Sequence, residues 1–492
     1  MTQIIDSLHK QLHDPRLMRS HCFIDGEWVM ALSSATMITR DPATGHTICE
    51  IPSMGADETN AAVNAAHRAL PAWRATTATV RASILREWQR LIVANKDDLA
   101  LILTTEQGKP LNEARGEVQI AADYVGWFAE EAVRAFGETI PSPWSDSRLF
   151  TIKQPVGVCA AITPWNFPCS MVTRKVAPAL AAGCTVVLKP AESTPHSAFA
   201  LAELARRAGV PAGVFNVVTG NARAIGEEIC TNEYVAKLSF TGSTGVGRLL
   251  MAQAAPTIKK MSFELGGNAP FIVFNDADLD AAVEGLIISK FRNAGQTCVC
   301  ANRVFVQHDV YKEFARKLAD RVASFQVGAG TTDGTDIGPL IDERALSKVE
   351  RHVEDAVRQG ARVLTGGKRH ALGGTYYEPT VLADAKPSML LFSEETFGPV
   401  CPLIGFETEE DVVALANNSE YGLAAYFYSR DIGRVYRVAE ALETGMVGVN
   451  TGMITTVAVP FGGVKQSGIG REGGAYGLDE YLEVKYVCIS SI

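Results

Sequence analysis

Apolar side chains recur at helical spacing through most of the first 135 residues of this 492-residue chain. After a short strand-like segment, this spacing predicts four helices. The strand is expected at 23–28 and the helices at 57–69, 80–94, 96–106 and 119–136. A Gly-Lys-Pro sequence at 108–110 interrupts the helical run, because glycine and proline both end helices. The alternating segment 148–153, after a stretch rich in proline and serine, predicts an exposed hairpin on an arm.

The pattern changes near residue 156 to short apolar segments that alternate with amphipathic ones. Strands are predicted at 156–163, 185–190, 215–220, 237–242 and 259–267, with helices at 170–182, 196–208, 222–231 and 246–254. Strands separated by helices in this way predict a parallel sheet covered on both faces. Ligands bind such sheets at the carboxyl ends of the strands. The chemically unusual segments 164–166, 189–192, 241–247 and 264–267 are expected at that edge.

A second α/β series follows from Phe271 to about Val449. Its clearest elements are a helix at 281–291, a strand at 303–307 and a helix at 310–324. A glycine-rich stretch opens at 460–463, and the segment 481–489 predicts a final strand. The whole chain is therefore predicted to adopt an α/β fold.

The amino-acid composition excludes several classes of function. The 46 basic residues against 55 acidic ones give a net charge of −9, with no basic run, which disfavours a binder of nucleic acid or of anionic membranes. The N-terminus lacks the apolar core of a signal peptide, and no apolar stretch is long enough to span a bilayer. Ten scattered cysteines do not form a disulfide framework, and the nine histidines show no metal-ligand spacing. We expect a cytoplasmic protein without a structural metal.

Four features could carry chemistry, and each has a plainer interpretation. The glycines of Gly242-Ser-Thr-Gly-Val-Gly247 could bring N–H groups to a pyrophosphate, or form an ordinary tight turn. Cys298 could be a reactive thiol or a buried structural one. Glu264 could be a base in a desolvated cleft, or a helix-capping or surface carboxylate. Asn166 could donate its amide to an oxyanion, or cap the following helix.

Together these features occur in a known constellation. The sequence resembles the aldehyde dehydrogenase superfamily over essentially its whole length. The matching motifs are PWNFP (164–168), KPAE (189–192), FTGSTGVG (240–247), FELGGNAP (263–270), GQTC (295–298), EETFGP (394–399) and PFGGVKQSG (460–468). The resemblance implies a Rossmann-type cofactor domain, an α/β catalytic domain and a small β oligomerisation arm. The corresponding ranges are 1–135 with 154–265, then 266–466, and 136–153 with 467–492.

The resemblance also implies a mechanism. Cys298 would attack an aldehyde, the amide of Asn166 and the Cys298 N–H would hold the oxyanion, and Glu264 would activate the water that hydrolyses the thioester. The expected cofactor is NAD or NADP, with NAD preferred because the Glu192 carboxylate would repel a 2′-phosphate. The implied cofactor-binding residues are Thr163, Pro164, Trp165, Lys189, Glu192, Gly242, Ser243, Glu395 and Phe397.

Within the superfamily, the segments KFRNAGQTCVCANR (290–303) and GREGGAYGLDEYLEVKYVC (470–488) resemble succinate-semialdehyde dehydrogenases. That likeness implies that Arg174 and Arg292 hold a substrate carboxylate, although arginines in surface salt bridges are commoner. Thr455 or Thr456 would supply a polar contact. Cys300 would form a reversible redox pair with Cys298, or be an inert packed residue.

The expected activity is oxidation of succinate semialdehyde by a homodimer or homotetramer. A sister enzyme for glutarate semialdehyde or another ω-carboxy aldehyde is the nearest alternative, because one methylene changes binding by only about 1–3 kcal/mol. A coenzyme A-dependent acylating enzyme and a non-catalytic scaffold are less consistent with Glu264, Cys298 and Asn166 occurring together.

Overall fold

Two mainly parallel sheets organise the chain in the computed structural model, which describes residues 4–491. The first sheet contains, in spatial order, Glu27–Val29, Cys22–Ile24, Phe215–Val217, Thr185–Lys189, Val158–Ile162, Val235–Thr241, Lys260–Glu264 and Gly468–Ile469. The second contains Arg362–Thr365, Thr380–Ala383, Val400–Phe406, Ala301–Gln307, Ala269–Val273, Ala424–Tyr428 and Met446–Val449. Parallel strands need crossover connections, and helices supply most of them.

The remaining strands form three smaller sheets in the described chain. A three-stranded sheet joins Leu482–Ser490, Ser147–Pro155 and Thr139–Ile140. Two-stranded pairs form between Thr36–Arg40 and Thr47–Pro52 and between Tyr421–Gly422 and Val464–Lys465. The segment predicted as a hairpin on an arm is therefore the middle strand of a sheet that the C-terminal strand completes.

Helices cover both large sheets. The α-helices are Ile4–Gln11, Ala56–Ala75, Ala78–Ala94, Lys96–Gln107, Leu111–Ala132, Ser170–Ala182, His196–Arg207, Ala222–Thr231, Thr244–Ala254, Leu279–Phe291, His308–Ala323, Glu343–Arg358, Leu390–Ser393, Glu409–Asn417, Ile432–Ala441 and Tyr476–Asp479. Short 3₁₀ turns lie at Pro15–Leu17, Ala255–Thr257 and Arg292–Gly295. Between residues 4 and 491, none of these helices is long and apolar enough to cross a membrane.

The structure confirms the predicted α/β fold, with helices such as Ser170–Ala182 ending where the sequence predicts. Two local predictions are wrong. The segment 23–28 is a tight hairpin rather than one strand, because Asp25 and Gly26 both adopt positive φ. The helix predicted at 119–136 is Leu111–Ala132, which begins directly after Pro110.

The division into domains stays a prediction, and its outermost residues, 1–3 and 492, lie outside the described chain. Each large sheet packs its own hydrophobic core. Gly468–Ile469, assigned from the sequence to the arm, pairs with Phe263 and Glu264 at the edge of the first sheet.

A buried carboxylate fixes the helix that follows the first central strand. Glu117 on Leu111–Ala132 accepts hydrogen bonds from the backbone N–H groups of Cys169 (2.9 Å) and Ser170 (3.2 Å), at the start of Ser170–Ala182. The N-terminus of a helix carries unpaired donors and partial positive charge, so a carboxylate stabilises it. The cap ties a helix on the outside of the fold to a loop at the sheet edge.

Lys109, from the Gly-Lys-Pro break, completes this arrangement. Its Nζ is buried, lies 2.5 Å from Oε2 of Glu117 and donates to the carbonyl oxygen of Asn166 (2.8 Å). The ammonium also lies 4.0 Å from the centre of the Phe167 ring. The ion pair therefore holds the backbone of the Trp165–Phe167 loop in place.

We expect Lys109→Met to lower the free energy of unfolding by about 3–5 kcal/mol, because it leaves the Glu117 carboxylate buried without its ion-pair partner. The double variant Lys109→Met/Glu117→Gln should lose less than the sum of the two single changes, since each single change leaves one buried charge unpaired and the double variant leaves none. Urea unfolding at one subunit concentration measures all four proteins. Strictly additive losses would show that the two side chains act independently.

Candidate active site

Two cavities meet at Cys298. The inner chamber, of about 250 Å³, is lined by Lys109, Glu113, Gly116, Glu117, Ile120, Tyr124, Phe167, Ser170, Met171, Arg174, Arg292, Thr297, Cys298, Val299, Met453, Thr455 and Phe461. The strand-end chamber, of about 340 Å³, is lined by Pro164, Trp165, Asn166, Met171, Thr241, Gly242, Ser243, Leu265, Gly266, Cys298, Arg344, Ala345, Lys348, Glu395, Thr396 and Phe397. Only Cys298 and Met171 line both, so a group on the sulfur of Cys298 can reach either chamber.

A left-handed turn presents Cys298 at this junction. Asn293, Ala294 and Gly295 all have positive φ, of 53°, 54° and 74°. Glycine is required at 295, because a Cβ there would lie 2.2 Å from the carbonyl oxygen of Gly398. Such backbone strain persists only where the surroundings enforce it, and it is common at functional sites.

The thiol of Cys298 is protonated at neutral pH in this state. Burial raises its pKa to about 12, although the positive charge of Arg174 acts in the opposite direction. Since the thiolate is the nucleophilic form, attack on a substrate requires a group that removes the proton. Cys298 nevertheless lines both chambers, which makes its sulfur accessible from each, and its role as the nucleophile stays a prediction.

Asn166 lies beside Cys298 in the strand-end chamber. Its Nδ2 donates to the carbonyl oxygen of Gln296 (3.0 Å), and a primary amide has a second N–H to offer. The backbone carbonyl oxygen of Asn166 accepts hydrogen bonds from Nζ of Lys109 and from Nδ2 of Asn293 (2.9 Å). The helix cap considered from the sequence is wrong, because the carboxylate of Glu117 caps that helix instead.

Glu264 ends its strand with an isolated carboxyl group. The side chain is buried, and neither oxygen has a hydrogen-bond partner within residues 4–491. Burial raises its pKa well above the usual value, and the nearby Glu472 carboxylate raises it further, while Arg174 and Lys175 oppose the shift. The surface and helix-capping interpretations of Glu264 are therefore wrong. Glu264 lines neither of the two chambers, and its role as a base stays a prediction.

Glu472, which was not identified from the sequence, is the carboxylate at the centre of a buried charge cluster. It forms ion pairs with Lys175 and with Nε of Arg174, the latter at 2.5 Å. Burial favours a higher pKa for Glu472, but these two cations hold the pKa below its usual value. One signal was available: Lys175 is a cation inside an otherwise largely apolar helix, and a buried charge needs a partner.

The two arginines predicted to bind a carboxylate differ in their present partners. Both line the inner chamber, but Arg174 is paired with Glu472 and lies 4.2 Å from the Phe461 ring centre. Arg292 forms no ion pair anywhere in the described chain, and its nearest polar side-chain contact is Sδ of Met453 at 3.5 Å. Arg292 is therefore the cation that is free to receive an anion.

Of the two candidate threonines, only Thr455 lines the inner chamber. Thr456 is exposed and does not line any of the chambers described here. Cys300 is buried, and its Sγ donates to the carbonyl oxygen of Lys290 (3.4 Å). Cys298 and Cys300 are both free thiols, and the redox role of Cys300 stays a prediction.

The strand-end chamber collects most of the residues expected to bind a dinucleotide. Ser243 caps the helix Thr244–Ala254, where unpaired N–H groups suit a phosphate. Glu395 accepts from the N–H of Gly267 (3.0 Å), and burial raises the pKa of Glu395 to about 7. Phe397 meets Trp165 edge to face, with ring centres 5.5 Å apart.

Three expected cofactor residues lie outside this lining. The N–H of Thr163 donates to the carbonyl oxygen of Lys189 (3.1 Å), at the adjacent ends of two central strands. Lys189 is buried and forms an ion pair with the more exposed Glu192. In contrast, Arg344 and Lys348 line the chamber from a helix of the second sheet and were not identified from the sequence.

Comparison with known proteins identifies the family. Residues 28–487 match the description "Aldehyde dehydrogenase family". The chain is 60% identical over 479 residues to a succinate-semialdehyde dehydrogenase [NADP(+)] of Escherichia coli, covering 97% of this chain and 99% of that protein. It is 58% identical to a glutarate-semialdehyde dehydrogenase of Pseudomonas aeruginosa, covering 98% and 100%.

Among solved structures, a succinate-semialdehyde dehydrogenase from Burkholderia pseudomallei superposes with a TM-score of 0.97 at 61% identity. The match covers 97% of this chain and 99% of that one. Fold, motifs and site geometry thus lead to one conclusion: the chain belongs to the aldehyde dehydrogenase family.

Proposed function

We propose that the protein oxidises succinate semialdehyde to succinate with NAD(P)⁺, through a covalent intermediate on Cys298. The observation that carries the proposal is the inner chamber, which has the nucleophile and the unpaired cation Arg292 in one lining. An aldehyde with a carboxylate at its other end matches both groups. The similarity to relatives named for succinate and glutarate semialdehydes supports the same substrate class.

In this mechanism the Cys298 thiol gives its proton to water in the chamber, and the sulfur attacks the aldehyde carbon, forming a thiohemiacetal. The oxyanion accepts hydrogen bonds from Nδ2 of Asn166 and from the Cys298 N–H, and such donors stabilise the charge that develops in the transition state. NAD(P)⁺ supplies the hydride acceptor when it is bound. The product on Cys298 is a thioester.

Glu264 then takes a proton from a water molecule that attacks the thioester carbon. The carbon–sulfur bond breaks, succinate leaves, and the Cys298 sulfur takes the proton from Glu264, which regenerates the thiol and the carboxylate. Burial and the Glu472 carboxylate raise the pKa of Glu264, so this group takes up a proton more readily than an exposed glutamate does. Only the deprotonated Glu264 is active, so hydrolysis should accelerate as pH rises through that pKa.

Because Arg292 is unpaired, we expect recognition of the substrate carboxylate to depend on this residue. Arg292→Ala should raise KM for succinate semialdehyde far more than for uncharged butanal, because losing a buried charged contact costs about 2–5 kcal/mol. Arg292→Lys is the matched control, since it keeps the charge but loses the planar fork. Steady-state kinetics with both aldehydes measures the difference. Equal losses for the two substrates would make Arg292 structural.

Glutarate semialdehyde is the second candidate substrate. The extra methylene changes transition-state binding by only about 1–3 kcal/mol, and Thr455 is the one predicted hydroxyl from the 453–459 loop that reaches the chamber. The charge argument applies equally to both substrates. The preferred chain length is measured by comparing kcat/KM for succinate semialdehyde and glutarate semialdehyde in the same assay.

The strand-end chamber is suited to the pyrophosphate and nicotinamide part of a dinucleotide. The helix start at Ser243 can receive the pyrophosphate, and a Cβ at Gly247 would lie 2.6 Å from Leu265, so glycine permits close packing of this helix on the strand end. We infer that Glu395 and Phe397 hold the nicotinamide ribose region. Lys189 and Glu192 would hold the adenosine ribose.

We propose that NAD⁺ is preferred, because the Glu192 carboxylate accepts from ribose hydroxyls and repels a 2′-phosphate. Glu192→Ser should raise kcat/KM with NADP⁺ relative to NAD⁺, since it removes the repulsion and frees Lys189 from its ion pair. Glu192→Gln removes the charge alone and is the matched control. A wild-type kcat/KM that is higher with NADP⁺ would contradict the proposed preference.

Assembly and location are also proposals. The C-terminal strand leaves Val484 and Tyr486 exposed on one face, and we propose that this apolar edge is covered in a homodimer or homotetramer. All ten cysteines are free thiols, which suits the reducing cytoplasm.

A further inference from the structure

A third cavity adjoins the inner chamber. This outer chamber, of about 340 Å³, is lined by Asn112, Glu113, Ile287, Ile288, Phe291, Arg292, Arg321, Phe325, Asp336, Ile337 and Met453. It shares Glu113, Arg292 and Met453 with the inner chamber. These three side chains therefore form the partition between the space that holds the substrate and a second, larger space.

Met453 is the movable part of this partition. Its Sδ lies 3.5 Å from Nη1 of Arg292 and 3.8 Å from Oγ1 of Thr455, and 46% of the residue is exposed. Both contacts are weak, because a thioether is a poor hydrogen-bond acceptor. An unbranched methionine side chain changes rotamer easily and adapts to different neighbours.

The backbone beneath Met453 is fixed. Oγ1 of Thr451 accepts from the Met453 N–H and donates to the Met453 carbonyl oxygen, both at 3.1 Å. The adjacent Gly452 packs against the helix Leu279–Phe291, where an added Cβ would lie 1.9 Å from the carbonyl oxygen of Gly285. The side chain can therefore swing without moving the loop.

The other partition residues are held more firmly. Glu113 accepts from the backbone N–H of Asn293 through Oε2 (2.8 Å). The guanidinium of Arg292 lies 5.4 Å from the centre of the Phe167 ring, and its Nε is buried without a hydrogen-bond partner in the described chain. The partition thus contains one anchored carboxylate, one unsatisfied cation and one mobile thioether.

The outer chamber suits an aliphatic chain that ends in a single anion. Its walls include the apolar side chains of Ile287, Ile288, Phe291, Phe325 and Ile337. The other arginine, Arg321, is already paired with Glu284 at 3.1 Å, so Arg292 is the cation available to an anionic tail. A tail with further negative charge would meet Glu113 and Asp336.

We propose that Met453 is the residue that limits substrate chain length, and that the outer chamber is a second subsite for longer ω-carboxy aldehydes. With the Met453 side chain in its present position, the substrate carboxylate can contact Arg292 only from the inner chamber. When the Met453 side chain moves, methylenes of a longer tail enter the apolar outer chamber. The proposal rests on the proposed function, since it assumes an acid-tailed aldehyde bound between Cys298 and Arg292.

The test compares kcat/KM for succinate, glutarate and adipate semialdehydes and for uncharged hexanal. In Met453→Ala, the ratio of adipate to succinate semialdehyde should rise about tenfold over the wild type, which corresponds to burying two further methylenes. Met453→Leu, which keeps most of the side-chain volume, should change the ratio far less. Adding Arg292→Ala to Met453→Ala should abolish the gain, because the carboxylate then has no cation to meet.

An unchanged ratio in Met453→Ala would overturn the proposal, as would an equal gain for hexanal, which has no carboxylate. An equal effect of Met453→Leu would also contradict it, since that variant leaves the partition closed. The proposed function is tested separately by wild type with succinate semialdehyde and butanal. A wild type that does not favour the charged aldehyde disproves that function, whatever Met453→Ala does to the ratio.

Discussion

The carbonyl oxygen of Asn166 is held from two sides, and the site depends on this constraint. Lys109 reaches it from the helical layer, where Glu117 fixes the ammonium, and Asn293 reaches it from the loop that precedes Cys298. Asn293 is fixed in turn by Gln107, whose side-chain amide donates to it at 2.9 Å. The oxyanion donor and the nucleophile come from different sheets, and these bonds join them at one point.

Buried charge is the second constraint, and it explains how the two acids of the site differ. Glu472 is kept ionised by Arg174 and Lys175, whereas Glu264 has no such partner and its pKa is raised. Two carboxyl groups close together in a desolvated site do not ionise equally. Glu472 therefore takes the structural negative charge, and Glu264 remains available for proton transfer. Of these two cations, Arg174 also opposes the effect of burial on the pKa of Cys298.

Much of the site could be predicted from the sequence because parallel strands place their carboxyl ends at one edge. Asn166 and Gly242 follow central strands and Glu264 ends another, so the order of strands and helices was enough to place all three at one edge. The position of Cys298 on a glycine-containing turn was equally visible. The family motifs then gave these residues their expected roles.

What the sequence did not reveal are contacts between distant segments. Lys175 and Glu472 are 297 positions apart, and no local pattern indicates that they pair. For the same reason the two arginines looked equivalent, although one is engaged by Glu472 and the other is unpaired. The 23–28 hairpin, in contrast, has a local signal in the sequence, because Asp25-Gly26 is a dipeptide that favours a two-residue hairpin turn. Side-chain partners and strained backbone are properties of the assembled fold.

The central claim is that Cys298 carries the acyl group and that Glu264 releases it. The most direct measurement is mass spectrometry of Glu264→Gln after mixing with succinate semialdehyde and NAD⁺, alongside the reduced cofactor formed. The account predicts a succinyl group on the peptide that contains Cys298 and one equivalent of NADH per site, followed by slow turnover. Sustained turnover at the wild-type rate, or a burst without a succinyl group on Cys298, would contradict it.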